Sequence, residues 1–224
     1  MKRRAWLAAW LAAWAAPMAW AQGGAPAQQR WKTDLDAFAA ADRQKMPAPG
    51  GVLFVGSSSI RLWNGLETAF PDQPLVVRRG FGGSRLSDSA DLVHRLVLPY
   101  QPRLVLLYAG ENDLVEGATP LELLGQFVRF VQQVQTALPA TRVAFISIKP
   151  SPSRLALMPA MREANLLIQT HVLAHENLDY VDVHTAMLDN DGQPRPELYV
   201  RDRLHLSAEG YGLWRQIVSP HLRP

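Results

Sequence analysis

The stretch "VLFVGSSSI", residues 52–60, guides the interpretation of the whole chain. Four apolar residues and a glycine form a run of strand length, and three serines follow directly. Because the run is apolar throughout and does not alternate with polar residues, it is typical of a strand that is covered on both faces. A polar turn at the end of such a strand is also where parallel α/β sheets place their ligands.

Four further apolar, β-branched runs follow, and helical patterns separate them. The predicted strands are 52–56, 75–79, 103–110, 142–148 and 178–183, and the predicted helices lie near 58–70, 88–98, 120–138, 154–176 and 207–218. Repeated strand–helix units predict a parallel sheet with helices on both faces, joined by right-handed crossovers. We therefore expect one α/β domain, a three-layer α/β/α sandwich with about five parallel strands.

The N-terminus has a composition of its own. A cationic start, "MKRR", precedes the apolar stretch "AWLAAWLAAWAAPM", and the small-x-small site "AWA" stands at 19–21. We interpret residues 1–21 as a cleaved signal peptide and expect a protein exported to the periplasm or secreted. An uncleaved anchor is the weaker alternative, because the run is shorter than the roughly 20 residues of a spanning helix and Pro17 interrupts it. Residues 22–30 should form a flexible lead-in, and residues 31–224 the folded domain.

Charge and cysteine content exclude several classes of function. The formal net charge of +3 includes Lys2, Arg3 and Arg4, so loss of these three positive charges on cleavage leaves zero. The mature chain also lacks a long basic stripe with interleaved aromatic residues, so we expect no nucleic-acid partner. With no cysteine the chain has no disulfide, thiol nucleophile or cysteine-bound lipid, and we expect no stable membrane anchor.

Polar clusters follow four of the predicted strands. These clusters are "GSSS", "GFGGS", "GEND" and "DRLH", after the first, second, third and fifth strands. Since the carboxyl ends of parallel strands meet at one edge, the clusters should form one site. A serine hydroxyl is a weak nucleophile that needs a base, a carboxylate to orient the base, and donors for the oxyanion.

Candidates for all of these roles are present in the four clusters. His205 follows Asp202 by three residues, so the carboxylate can bind one ring nitrogen while the other faces a serine. Asn112 offers an amide donor and Gly83 an unobstructed backbone N–H. Taken alone, residues 57–59 would be a turn and a helix N-cap, because serine oxygens readily accept from the first helical turn.

In this order, the blocks "FVGSSSI", "RRGFGGS", "GEND" and "RDRLHLSAEGY" resemble those of the SGNH family of serine hydrolases, also called GDSL-type esterases and lipases. The resemblance covers about residues 52–218 and implies a flavodoxin-like fold that needs no metal or cofactor. It implies a catalytic triad of Ser58, Asp202 and His205, and an oxyanion hole made by Gly83, Asn112 and the Ser58 amide. Ser59 is the alternative nucleophile if the register is shifted. The chain departs from the family at Ser57, where aspartate is usual, and at Arg78, where asparagine is common.

The function implied by this resemblance is ester hydrolysis through an acyl-enzyme. The enzyme would be an esterase or lipase, or a carbohydrate O-acetyl esterase, acting on a small-molecule or glycan ester. An O-acyltransferase and a non-catalytic glycan-binding module on the same fold are the alternatives. Arg78 or Arg85 could favour anionic substrates, although a solvated or locally paired surface charge is the preferred interpretation. The sequence does not specify the acyl length or the oligomeric state.

Three other patterns are weaker. His171 and His175 stand at i and i+4 on one helix and could bind a metal, but no third ligand accompanies them, and a solvated helix face is favoured. "DNDGQP", residues 189–194, starts like a calcium loop, yet Val200 occupies the position of the bidentate glutamate, so a turn is predicted. "GFGGS" lacks the spacing of a dinucleotide-binding loop.

Overall fold

A computed structural model describes residues 26–223 and contains a five-stranded parallel sheet with the strand order β2-β1-β3-β4-β5. The strands are β1 (Val52–Gly56), β2 (Val76–Gly80), β3 (Leu104–Tyr108), β4 (Arg142–Ile146) and β5 (Leu178–Val181). This order is the flavodoxin-like one, so the predicted fold class is confirmed. The predicted signal peptide, residues 1–21, lies outside the described residues.

Ten α-helices and five short 3₁₀ helices surround the sheet in the described part of the chain. The α-helices are α1 (Ala27–Arg30), α2 (Lys32–Gln44), α3 (Ser58–Arg61), α4 (Leu86–Asp91), α5 (Val93–Leu96), α6 (Glu111–Val115), α7 (Pro120–Ala137), α8 (Met158–Leu173), α9 (Val183–Ala186) and α10 (Ala208–Val218). The 3₁₀ helices are Leu66–Thr68, Leu98–Tyr100, Pro152–Leu157, Pro196–Leu198 and Ser219–Leu222. Within residues 26–223 no helix has both the length and the apolar character needed to cross a membrane.

Alternating side chains of each strand enter two separate cores. In β1, Leu53 and Val55 pack into the core covered by α2, α4, α5, α7 and α8. Val52 and Phe54 pack into the opposite core, which α3 and α10 cover. Because both faces are buried, the strands are apolar runs, as the sequence indicates.

The starts of two long helices follow from local sequence. Thr119 accepts a hydrogen bond from the Glu122 amide while the Glu122 carboxylate accepts from the Thr119 amide, and Pro120 occupies the first turn. Ser207 accepts from the Gly210 amide at the start of α10. These capping bonds satisfy amides that have no partner within the helix.

The predicted helix near 58–70 is much shorter in the structure. It ends at Arg61, and Gly65 adopts a positive φ of 72° before the next short turn. The Arg78 guanidinium on β2 donates to the carbonyl oxygens of Arg61 and Trp63, both at 3.0 Å. A distant side chain therefore stabilises carbonyl groups that a continuing helix would have used.

The expected flexible lead-in, residues 22–30, includes a segment that is helical in the structure. Residues 27–30 form α1, in which Ala27 is buried and the Arg30 guanidinium binds the buried carboxylate of Asp88. Contacts from a distant part of the chain order a segment that has no helical pattern of its own.

The helix α2 joins the chain before β1 to the rest of the domain. Its Asp42 carboxylate binds the guanidinium of Arg79 on β2 and accepts from the Tyr100 hydroxyl at 2.5 Å. Directly before α2, the Trp31 ring packs edge-on against Phe81 with 5.2 Å between centroids. The helix α2 is therefore an integral part of the helical layer that α4, α5, α7 and α8 also form on one face of the sheet.

Candidate active site

The backbone at the end of β1 places Ser58 at the start of a helix. Gly56 has a φ of 149°, and a Cβ atom there would lie 2.0 Å from the Tyr108 carbonyl oxygen, so a side chain cannot be accommodated. The next residue, Ser57, occupies the N-cap position of α3, where its carbonyl oxygen accepts from the Ile60 and Arg61 amides at 3.0 and 3.1 Å. Ser58 is thus the first residue of α3.

The three serines have different environments. Ser57 and Ser59 are buried, with 3% and 2% of their surface exposed, whereas Ser58 is partly exposed. The Ser58 hydroxyl lies 3.0 Å from Nε2 of His205. The Ser59 carbonyl oxygen accepts from the Tyr211 hydroxyl at 3.0 Å. Of the three, Ser58 is the serine whose hydroxyl contacts a candidate base.

Asp202 and His205 lie on a tight turn between two bridged positions, Tyr199 and Leu206. Oδ1 of Asp202 accepts hydrogen bonds from the backbone amides of Leu204 and His205, both at 2.9 Å. These bonds fix the carboxylate against its own turn, in the manner typical of aspartate in loops. The carboxylate oxygen Oδ2 remains available to the imidazole ring.

The three side chains form a continuous chain of hydrogen bonds. Oδ2 of Asp202 lies 2.6 Å from Nδ1 of His205, and Nε2 of that ring lies 3.0 Å from Oγ of Ser58. Burial acts to raise the pKa of Asp202, but the bonds from the His205 ring and from the His205 and Leu204 amides outweigh it and lower the pKa to about 2. An ionised Asp202 holds the hydrogen on Nδ1, which leaves Nε2 as an acceptor for the serine proton.

The clusters after β2 and β3 join this edge of the sheet. Gly83 lies in the turn after β2 with a φ of 84°, and at its neighbour Gly82 a Cβ atom would be 2.8 Å from the Arg61 guanidinium of α3. Nδ2 of Asn112 donates to the Ser84 carbonyl oxygen at 2.9 Å. The turn that carries Gly83 therefore lies between α3 and α6, the helix that carries Asn112.

Asp113, predicted to have a role in loop structure, is a buried carboxylate. It accepts from the Leu86 amide at 2.9 and 3.1 Å, at the start of α4. Burial raises the pKa of Asp113 to about 6, although backbone hydrogen bonds from Leu86 and neighbouring amides oppose the shift. Asp113 lies within α6 rather than in a loop, and its contacts connect α6 to α4, the helix that follows the Gly83 turn.

Arg78 and Arg85 are both locally paired. Arg78 binds Glu67 at 3.0 Å, and Arg85 binds Glu116 at 2.9 Å and contacts Asp88 at 3.4 Å. These carboxylates compensate the charges that an anionic substrate would otherwise meet.

Sequence reasoning missed a buried cluster around Glu111, a residue of the "GEND" block. The Glu111 carboxylate accepts from Nζ of Lys149 at 2.7 and 3.0 Å, from the Tyr108 hydroxyl at 3.0 Å and from the Ser151 hydroxyl at 3.1 Å. Burial lowers the pKa of Lys149, and the nearby Glu111 charge opposes that shift. Lys149 and Ser151 stand 38 and 40 residues from Glu111, so no local pattern indicates the cluster.

A surface groove of about 550 Å³ borders the site. Two of its residues, Val200 and Leu206, flank the Asp202–His205 turn, and Leu62 directly follows α3. The full lining is Leu62, Trp63, Asn64, Gly65, Thr68, Ala69, Val200, Leu206, Ser207, Ala208, Tyr211, Gly212 and Arg215. Leu62, Val200 and Leu206 share this lining with polar residues such as Asn64, Ser207 and Arg215, so the groove has a mixed surface.

The two histidines considered as metal ligands stack on each other. The rings of His171 and His175 have centroids 3.9 Å apart, and Nδ1 of His175 lies 2.7 Å from the His171 carbonyl oxygen. Across residues 26–223 no group of three His, Asp or Glu side chains is arranged to hold a metal ion. In the 189–194 segment, the Asp189 carboxylate accepts from the Asp191 and Gln193 amides, which gives the predicted turn.

Comparisons with known structures agree with this fold. A candidate platelet activating factor from Streptococcus pneumoniae superimposes with a TM-score of 0.76 at 21% identity, covering 87% of this chain and 94% of that one. A candidate acylhydrolase from Bacteroides fragilis gives 0.72 at 20% identity, with 90% and 98% covered. An acetylxylan esterase from Geobacillus stearothermophilus, in a catalytic mutant form, gives 0.64 at 15% identity, with 80% and 96% covered.

At these identities the structural matches show the fold alone. A comparison with curated proteins gave no match. The decisive match is to the GDSL-like lipase/acylhydrolase family, which covers residues 51–213 and thus includes all four polar clusters. This chain therefore belongs to the GDSL-like lipase/acylhydrolase family of ester hydrolases.

Proposed function

We propose that this protein is an exported serine esterase that cleaves carboxylic esters through an acyl-enzyme on Ser58. The observation that carries the proposal is the chain of hydrogen bonds from Ser58 through His205 to Asp202, at 3.0 and 2.6 Å. A serine hydroxyl in this arrangement has a base within reach, and the base has a carboxylate that orients it.

In the proposed reaction, Nε2 of His205 takes the Ser58 proton as Oγ attacks the ester carbonyl. The resulting oxyanion receives hydrogen bonds from the Ser58 and Gly83 amides and from Nδ2 of Asn112. His205 then returns the proton to the leaving alcohol, which departs and leaves an acyl group on Ser58. A water molecule then attacks this acyl group as His205 takes one of its protons, and His205 passes that proton to Oγ of Ser58 as the acid is released. Asp202 stabilises the imidazolium ring in both halves of the cycle.

The bordering groove supports a short acyl group or a polar alcohol portion. A long acyl chain needs a continuous apolar wall, whereas here Leu62 and Val200 share the lining with Asn64, Ser207 and Arg215. The structural similarity to an acetylxylan esterase is consistent with an acetyl ester on a sugar. We therefore infer a preference for short acyl groups, with acetylated glycans as one substrate class.

A series of 4-nitrophenyl esters with acyl chains from acetyl to octanoyl tests this function. The purified protein should cleave the acetyl ester with a kcat/KM at least about tenfold above that for the octanoyl ester, because the long chain gains little from a mixed lining. Acetylated xylooligosaccharides, assayed by acetate release, test the glycan class directly. Higher activity on octanoyl ester would exclude the short-acyl preference, and no cleavage of any ester would refute the function. Addition of an alcohol acceptor distinguishes transfer from hydrolysis by its product.

Export is the part of the proposal that rests on the N-terminal sequence. The cationic start, the apolar stretch and the "AWA" site at 19–21 support cleavage after Ala21. Intact-mass analysis of protein recovered from the periplasm or medium should give a chain that begins at Gln22. Full-length protein that begins at Met1 and stays with the cells would contradict this proposal.

A further inference from the structure

Arg154, a residue that the sequence analysis did not identify, lies between Glu111 and Asn112. It belongs to the 3₁₀ helix Pro152–Leu157, where its non-helical φ of −128° marks a kink. Its guanidinium lies 3.4 Å from Oε1 of Glu111, and both of its terminal nitrogens lie 3.4 Å from Oδ1 of Asn112. The side chain is 18% exposed, so it is mostly enclosed by these neighbours.

The charges around Arg154 leave it as the surplus cation of the cluster. Glu111 and Lys149, 7% and 1% exposed at their side chains, form a close ion pair at 2.7 Å and balance each other's charge. Arg154 adds a second cation that shares this one carboxylate, so the three side chains carry one net positive charge, within hydrogen-bonding distance of the Asn112 amide oxygen. A positive charge next to the Asn112 amide oxygen polarises the amide group and makes its N–H groups better donors to an anion.

Two opposing partners determine the orientation of the Asn112 amide. A guanidinium group has donors only, so the amide oxygen must face Arg154. The Ser84 carbonyl oxygen only accepts, so the amide nitrogen must face Ser84, to which it donates at 2.9 Å. A flipped amide would place hydrogens against the guanidinium and oxygen against a carbonyl. In the observed orientation, the Asn112 amide nitrogen uses one hydrogen for Ser84, and its second hydrogen is not used in the contacts with Ser84 and Arg154.

We propose that Arg154 is a positioning residue that holds the Asn112 amide with Nδ2 towards the oxyanion and supplies the positive charge behind it. This inference rests on the proposed esterase function, in which Asn112 donates to the tetrahedral intermediate. Donors that are already oriented act at the transition state without reorganisation, which is where most of their catalytic effect arises. Arg154 itself acts through Asn112 and does not contact the ester.

A double-mutant cycle between Arg154 and Asn112 tests the inference. Asn112→Ala should lower kcat for the acetyl ester about 100-fold, as expected for an oxyanion donor. Arg154→Met should lower kcat about tenfold with KM changed less than about twofold, because the lost contribution is confined to the transition state. In the Asn112→Ala background the same change should lower kcat less than about twofold, since the residue through which it acts is gone. Arg154→Lys keeps the positive charge but loses the paired terminal nitrogens of the guanidinium group, so its kcat should lie between those of the original protein and Arg154→Met.

Arg129 provides a matched control, because it is an arginine on α7 that is paired with Asp91 of α4. Arg129→Met should leave kcat unchanged. If Arg154→Met lowers kcat equally with and without Asn112, or leaves kcat unchanged in a folded protein, the inference is wrong. If Arg154→Met does not fold, Arg154→Lys carries the same cycle.

A measurement without turnover separates this inference from the esterase proposal. In a Ser58→Ala protein, the ¹⁵N order parameter of the Asn112 side-chain amide should fall when Arg154 becomes methionine, because one end of the amide loses its partner. An unchanged order parameter would overturn the positioning role whatever the reaction catalysed. Conversely, if the order parameter falls in this way but the unaltered protein, with Ser58 present, cleaves no ester, the function is refuted and the positioning role stands.

Discussion

Replacement of Ser58 with alanine is expected to lower kcat for 4-nitrophenyl acetate by at least about 10³-fold while the melting temperature stays within about 2 °C. The large loss follows from the proposed mechanism, because its acyl-enzyme cannot form without the hydroxyl and the other two residues of the proposed triad cannot act without a nucleophile. The small stability change follows because the Ser58 side chain is partly exposed and its hydroxyl contacts His205 outside the core. Steady-state kinetics and thermal unfolding of the purified variant measure both quantities.

Ser59→Ala is the matched control, since it removes the neighbouring hydroxyl from the same helix. Its kcat should remain within about fivefold of the original value, because Ser59 is buried and its carbonyl oxygen, rather than its hydroxyl, binds Tyr211. A fluorophosphonate should modify the peptide with Ser58 in this control and fail to modify the Ser58→Ala protein. Turnover that survives in Ser58→Ala, or label found on Ser59, would assign the nucleophile elsewhere.

Replacement of Lys149 with methionine is expected to lower the free energy of unfolding by about 3–5 kcal/mol. The Lys149 side chain is 1% exposed and the Glu111 side chain 7%, so methionine would leave a carboxylate buried without its closest cation. The cost of an unpaired buried charge is larger than the net value of the pair itself, which makes removal of one partner the severe change. Urea unfolding, followed by circular dichroism, measures the loss.

Two further variants make this result specific to the buried pair. Lys45→Met removes an exposed lysine just after α2 and should change the free energy of unfolding by less than about 0.5 kcal/mol. Glu111→Gln combined with Lys149→Met should be more stable than Lys149→Met alone, because the neutral amide keeps hydrogen-bonding capacity without the buried charge. A loss below about 1 kcal/mol in Lys149→Met would show that the Glu111–Lys149 pair is not isolated from water.

Most of the sheet could be predicted because its signal is local. The apolar run at 52–56 matches β1 residue for residue, since a strand buried on both faces requires apolar side chains at every position. Thr119 and Pro120 likewise mark the start of α7 within four residues of sequence. Where the residues that determine a strand or a helix start all lie in one short stretch, the sequence is sufficient to predict that element.

The structure differs from the sequence-based prediction where a local feature depends on a residue that is distant in the chain. Arg78 binds carbonyl groups 15 and 17 residues before it and is associated with the early end of α3, which an apolar pattern cannot indicate. Arg154 reaches Asn112 across 42 residues, and no spacing rule connects the two. The proposed triad residues were found despite their separation because serine, histidine and aspartate carry distinctive chemistry, whereas an arginine that positions another side chain resembles any surface arginine.

The chain before β1 has a consequence for how the protein is divided. The family match begins at residue 51, yet Trp31 packs on Phe81 and Asp42 binds Arg79 in the sheet. The residues of the family match are therefore fewer than the residues whose contacts hold this domain together. A chain that began at residue 51 would lack the Asp42 carboxylate that pairs with the mostly buried Arg79 guanidinium, and a buried charge without its partner would destabilise that edge of the sheet.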